Sequence, residues 1–289
     1  VSPESEFISR LRAFATHPAA RGLMDDTAVL EVGGETLVIT HDMLVEGVHF
    51  LPDADPADVA WKLVAVSLSD LAAKGAEPLG VLLGYTLGDG DARFAEGLEE
   101  VLLHYGVELL GGDTSSGGSP RGFGLTAIGR ATHRPVPSRA GAQIGDALYV
   151  TGPLGGAMVG LEELRRGGDP GVYARPLARL GEGMALAPYV TAMMDISDGL
   201  LLDATRLARA SAVTITIDSA AVPLACLEER RQDALRWGDD YELLFTIPAD
   251  IVPPVPAYRI GLVEPVLGAP LVLDGKKLTE ADRLGYEHG

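Results

Sequence analysis

Aspartates stand in this chain where local structure does not want them, and they define the chemistry on offer. A helix is expected over residues 55–75, with Asp55 as N-cap, Pro56 at the first position and Gly75 as the C-terminal stop. Val59, Leu63 and Val66 mark its buried stripe. Asp70 follows Val59 by eleven residues, and eleven steps of about 100° return almost to the same face. An anion there is opposed by burial and, near a helix C-terminus, by about 0.3–1 kcal/mol of macrodipole. Something positive must face it, either Lys74 one turn later or a metal ion. Asp42 follows directly on the expected strand Leu37-Val38-Ile39-Thr40, at the end where α/β proteins often place ligands; a turn residue is the other reading. Asp25-Asp26 and Asp113 fall in short polar or glycine-flanked loops, the latter within Gly111-Gly112-Asp113-Thr114, where paired glycines let backbone approach a ligand. Asp195-Ile196-Ser197-Asp198-Gly199 precedes a helix, which Ser197 or Asp198 could equally cap. Carboxylates from both halves, one cysteine (Cys226) and few histidines indicate Mg2+ or Mn2+ over zinc. Composition and spacing reach phosphate chemistry with several magnesium ions, and name no substrate.

The elements that must position these residues alternate between strand-like and helix-like, which argues for a mixed α/β fold. Strands are expected at Val81-Leu82-Leu83, Phe123 to Ile128, Ala147 to Val150, Val213 to Ile217 and Tyr241 to Ile247. Helices are expected from Phe94 to Tyr105, up to Arg166, and from Leu200 to Ala210. Pro and Gly cluster from Arg134 to Gly141, and the domain boundary is placed there, dividing residues 1–137 from 138–289.

Bulk properties exclude several classes. With 41 acidic against 23 basic residues the net charge is −18, which disfavours nucleic acid as a partner. ATP remains compatible if divalent ions invert the local field. No apolar run reaches membrane-spanning length, the first residues do not read as a signal peptide, and a cytoplasmic location is expected. No G-x-x-x-x-G-K-[ST], H-R-D or D-F-G motif is present, so the chain reads neither as a P-loop enzyme nor as a protein kinase.

In order along the chain, Asp25-Asp26, Thr40 to Phe50, Ser67 to Pro78, Gly111 to Thr114, Ser138 to Gly141, Asp195 to Leu200, Gly238 to Leu243 and Gly285-Tyr286-Glu287-His288 resemble the thiamine-monophosphate kinase family. The resemblance covers nearly the whole chain. It implies the aminoimidazole-ribonucleotide-synthetase-like fold: an N-terminal α/β domain whose strands form a β-barrel across a homodimer, a C-terminal α/β domain, and ATP between them. It implies transfer of the γ-phosphoryl of ATP to thiamine monophosphate, direct and in line, assisted by several Mg2+ ions. Asp26, Asp42, Asp70, Asp113 and Asp195 match the magnesium ligands, Thr40 and His41 further metal contacts, and Asp198 a ligand for an additional ion. Gly112, Arg139, Ser197 and Tyr105 match ATP contacts. His49, Asp239 and Tyr286 match contacts to the thiamine phosphate. Asp42, Asp70 and Arg139 are the expected catalytic residues. Three positions depart from the family pattern: Met24 stands before the first Asp pair in place of Gly, His41 replaces a hydroxyl residue beside Asp42, and Asp239 stands in place of Glu. The alternatives are a sister ATP-dependent synthetase of the same superfamily and a non-catalytic nucleotide or metal sensor on this scaffold.

Overall fold

A computed structural model describes residues 3–287, so His288 of the last motif lies outside the described residues. The first half contains α1 (Pro3–Leu11), β1 (Ala28–Val32), β2 (Glu35–Val45), α2 (Pro56–Ala73), β3 (Ala76–Leu87), α3 (Asp91–Tyr105), β4 (Leu109–Ser116) and β5 (Gly122–Ala131). Its strands form one sheet in the order β1-β2-β5-β3-β4, antiparallel except for the β3–β4 pair. Gly33 and Gly34, both at positive φ, close the two-residue turn between β1 and β2. Among the described residues this sheet is open, with β1 and β4 at its edges.

The second half contains β6 (Ala147–Val150), α4 (Gly156–Arg165), α5 (Leu180–Leu186), β7 (Ala192–Asp195), α6 (Leu200–Ser211), β8 (Thr214–Ile217), α7 (Arg231–Trp237), β9 (Leu243–Ile247), β10 (Tyr258–Glu264), β11 (Leu271–Leu273) and β12 (Lys276–Leu278). They build a mixed sheet in the order β12-β11-β8-β10-β6-β9-β7, whose apolar face packs on α6. The result is a mixed α/β fold of two domains.

Helix α2 joins them. Asp55 caps it by accepting the Ala57 N–H at 3.0 Å, and Gly75 takes the left-handed conformation after its end. The expected stripe is buried, but so are Ala60, Val64 and Leu68, because α2 is covered on all sides. It packs on β2 and β5, on α3, and on α5 and β7 of the second domain. The polar side chains Lys62, Ser67 and Ser69 of α2 are therefore inside the protein.

Two expectations change. β2 does not stop at Thr40; its pairing with β5 runs from Leu37–Arg130 to Val45–Gly122 and keeps His41 and Asp42 inside the strand. Asp113 is also in a strand, paired with Gly84 across the parallel β3–β4 ladder. Both polar stretches become strands because a neighbouring strand satisfies their backbone, which local propensity does not report.

Candidate active site

Asp70, close to the end of α2, Asp195, the last residue of β7, and Asp26, just before β1, each place one carboxylate oxygen within 4.8 Å of the others. Both domains thus contribute to one acidic centre. Thr40 donates its hydroxyl hydrogen bond to Asp70, and Ser69 donates to Asp195 at 2.6 Å. Asp42 sits beside them on β2, with its Oδ2 buried and lacking a hydrogen-bond partner.

Cations gather at one end of this centre. Lys74, with none of its surface exposed, lies 2.6 Å from both Asp25 and Asp26. Arg21 pairs with Asp25 at 2.6 Å, and Arg139 pairs with Asp26. Lys74 is therefore not the partner of Asp70: it sits at the helix end with its ammonium turned toward the Asp25-Asp26 loop. Burial opposes ionisation of Asp26, but Arg139 and Lys74 outweigh it and hold its carboxyl below the usual range. Lys74 and Arg21 do the same for Asp25 against its burial.

The other end is uncompensated. Burial, then repulsion from Asp42, Asp195 and Asp26, pushes Asp70 well above an ordinary carboxylic acid. Burial and the Asp26 charge push Asp195 up to about 7. Burial also raises Asp42. Two ionised carboxylates some 5 Å apart repel by about 3 kcal/mol at an effective dielectric near 20. Hard oxygen donors in this number, with an orphaned buried oxygen on Asp42, fit Mg2+ or Mn2+.

A pH prediction follows. Asp195 has a folded pKa above its unfolded value near 3.8, so its stabilising contribution is complete below pH 4 and declines as pH rises toward 7. The decline is about 1.4 kcal/mol per pH unit for each such group. A divalent ion removes that penalty by pairing with the ionised form. Millimolar Mg2+ will therefore raise the melting temperature more at pH 7.5 than at pH 5; an equal rise at both values contradicts the assignment.

The remaining expected residues are distributed less simply. Alternation along β2 places Thr40 inward and His41 on the opposite, exposed face, where Nδ1 meets Thr126 Oγ1 at 2.9 Å. The His41 imidazole therefore does not face the carboxylates. Asp113 lies exposed on edge strand β4 and is not one of the clustered acids. Gly112 beside it admits no side chain, since a Cβ would fall 1.9 Å from the Leu83 carbonyl oxygen. The backbone N–H groups of Ser197 and Asp198 donate to Asp203, while the Asp198 carboxylate pairs with Arg206. The Tyr105 hydroxyl accepts the Ala178 N–H at 2.8 Å, which places it between α3 and the second domain. Tyr286 donates its N–H to the Asp198 carbonyl, bringing the C-terminal segment onto that loop. His49 Nδ1 accepts the Val45 N–H, and Asp239 pairs with Lys62 at 2.8 Å.

Several participants do not figure among the expected residues: Lys62, Ser69, Asp203 and Arg206. Only Lys62 and Ser69 carried a signal. Lys62 lies three residues after Val59 and four before Val66, on the same apolar face as Asp70. Arg206 and Asp203 sit on an ordinary amphipathic helix, and nothing local marks them.

Fold and site together define a two-domain α/β protein with an acidic centre between its domains, and the comparisons name its family. The AIR synthase related protein N-terminal domain matches residues 24–131, and the corresponding C-terminal domain matches residues 143–252. The thiamine-monophosphate kinase of Escherichia coli K12 is 37% identical over 302 aligned positions, covering 92% of this chain and 91% of that protein. The solved structure of AaThiL complexed with AMPPCP and TMP superposes with a TM-score of 0.85 at 32% identity, covering 94% of this chain and 93% of that one. The thiamine monophosphate kinase of Aquifex aeolicus superposes with a TM-score of 0.82 at 30% identity, over 96% and 99%. The chain belongs to the thiamine-monophosphate kinase family and is a phosphotransferase. Among the described residues no helix is long and apolar enough to cross a membrane.

Proposed function

We propose that this chain transfers the γ-phosphoryl of ATP directly to thiamine monophosphate, giving thiamine diphosphate, at the acidic centre between its domains. The observation that carries this reading is the meeting of Asp26, Asp70 and Asp195 from both domains, with Asp42 alongside. The solved relative with AMPPCP and TMP supports the choice of donor and acceptor.

The acceptor is itself a phosphate, ionised at neutral pH, so no strong general base is needed. The obstacle is repulsion between anions, about 4 kcal/mol for unit charges 4 Å apart at an effective dielectric near 20. Bound magnesium supplies charge neutralisation and polarisation of the phosphoryl oxygens. Asp26, Asp42, Asp70 and Asp195 would hold it, with Thr40 orienting Asp70 and Ser69 orienting Asp195. Asp113 and Asp198 are assigned to ions that arrive with the nucleotide, and His41 contributes through its backbone only. Arg139, Gly112, Ser197 and Tyr105 are assigned to ATP, and His49, Asp239 and Tyr286 to the thiamine phosphate. Arg139 already fixes Asp26 and keeps Nε buried without a partner, which suits a guanidinium shared with an incoming phosphate.

The domain boundary is placed at residues 137 and 138, between the last strand of one sheet and the first of the other. The functional unit is assigned as a homodimer completing a barrel. β4 supports this, being an exposed edge strand with Leu109 and Leu110 uncovered. A cytoplasmic setting is assigned with it, in keeping with the single free Cys226.

A coupled assay for ADP release tests the reaction. Release that requires both Mg2+ and thiamine monophosphate, with no phosphate left on acid-quenched protein, is the expected outcome. ADP release indifferent to thiamine monophosphate points to another acceptor, and a trapped phosphoprotein contradicts direct transfer.

A further inference from the structure

We propose that Lys62 is a positioning residue for the acceptor, holding the two acceptor contacts, His49 and Asp239, in one geometry across the domain junction; this rests on the acceptor reading above. Lys62 is on α2 and only 2% exposed, a rare state for a lysine. Its ammonium lies 2.8 Å from Asp239 Oδ2, 3.3 Å from the His49 carbonyl oxygen and 4.2 Å from the centroid of the Tyr173 ring. It thus joins a loop of the first domain to two segments of the second. A buried ammonium needs compensating partners, and here both of its hydrogen bonds go to acceptor contacts.

Asp239 is held from several directions. Its backbone N–H donates to the Ser197 carbonyl at 2.8 Å, and the Tyr241 hydroxyl donates to its Oδ1 at 2.9 Å. Asp239 and Tyr241 both adopt positive φ, 58° and 51°, which non-glycine residues enter only when their surroundings impose it. The carboxylate therefore projects from a strained turn whose free end is tied by Lys62. On the other side, His49 accepts the Val45 N–H at Nδ1, so its Nε2 carries the proton and is a donor. The ammonium on the His49 carbonyl fixes the loop that presents this donor.

Two opposite effects could follow from removing the ammonium. A merely compensating Lys62 weakens the pull of Asp239 on a cationic thiazolium, so its loss would tighten acceptor binding. A positioning Lys62 sets the location of Asp239 and of the His49 loop, so its loss would weaken acceptor binding and leave ATP binding alone. The geometry favours the second, because Lys62 contacts a backbone carbonyl as well as the carboxylate, and the carbonyl has no charge to compensate.

Steady-state kinetics with both substrates varied decide between them. Lys62→Met is expected to raise KM for thiamine monophosphate at least tenfold while KM for ATP changes less than twofold, with Lys62→Arg intermediate. Asp239→Asn is expected to raise the same KM comparably. In the double variant, the rise should be smaller than the product of the two single effects, since the two residues share one contact, yet larger than that of Asp239→Asn alone, since Lys62 also holds the His49 loop. A fall in KM for thiamine monophosphate, or parallel rises in both KM values, overturns the assignment. Should Lys62→Met not fold, Asp239→Asn decides alone: an unchanged KM for thiamine monophosphate overturns it. If the unaltered chain shows no ADP release dependent on thiamine monophosphate, the acceptor reading falls and takes this assignment with it.

Discussion

Asp70→Asn will lower kcat by about two to three orders of magnitude and yet leave the metal-free protein more stable than the parent. The kinetic loss is what removal of one preorganised charge at a phosphoryl-transfer centre typically costs. The gain in stability has a separate origin. Asp70 is largely withdrawn from water and repelled by Asp42, Asp195 and Asp26, so folding favours its protonated form at a pH where the unfolded chain ionises it. Asparagine keeps the shape and can still accept the Thr40 hydroxyl, without a proton to hold. The stability gain should be larger at pH 8 than at pH 5, at least about 1 kcal/mol at the higher value. Thermal melts in a chelator, set beside turnover at saturating Mg2+, measure both halves. Near-parental turnover removes Asp70 from the metal set; a destabilised apo variant means that its role is structural.

Lys74→Met acts in the other direction. Asp25 and Asp26 are ionised in the fold because Lys74, Arg21 and Arg139 surround them. Removing the ammonium leaves two buried carboxylates sharing the remaining guanidinium groups. Breaking such a cluster from one side costs about 3–5 kcal/mol, far more than the intact cluster contributes relative to an apolar replacement. At about 2–4 °C per kcal/mol for a chain of roughly this size, the melting temperature should fall by about 10 °C. Adding Asp25→Asn to Lys74→Met should recover part of the loss, because the surplus charge goes with its partner. A fall of less than about 2 °C for Lys74→Met would mean that the cluster reorganises or that water reaches it.

The two substitutions separate two roles that composition alone merges. Asp25 and Asp26 are bound up in an internal ionic lattice, whereas Asp42, Asp70 and Asp195 are left in need of charge. Asp26 belongs to both groups, with one oxygen on Arg139 and the other beside Lys74, and it couples the lattice to the centre.

Asp70 was legible in the sequence because helical spacing alone puts it on an apolar face, where a carboxylate is anomalous. Lys62 was legible by the same spacing; only the assumption that lysines snorkel to the surface hides it. The helix limits around α2 were legible too, since Asp55, Pro56 and Gly75 mark them locally. What could not be read depends on contacts distant in sequence. Pairing with β5 extends β2 past Asp42 and so turns His41 to the far face, a consequence of where residues 122–131 lie. Pairing with β3 likewise draws Asp113 into an edge strand. The turning of Lys74 toward Asp25-Asp26, and of Asp198 toward Arg206, is a choice among several nearby opposite charges that spacing alone does not settle.

The claim beneath all of this is that the interdomain carboxylates collect divalent ions around reacting phosphates. Crystals of the chain grown with Mn2+, a non-hydrolysable ATP analogue and thiamine monophosphate test it by anomalous scattering. Manganese peaks bridging Asp70 and Asp195, with Asp42 and Asp26 in contact, are the expected result. Full nucleotide occupancy with no anomalous peak within bonding distance of Asp70 or Asp195 would contradict the account.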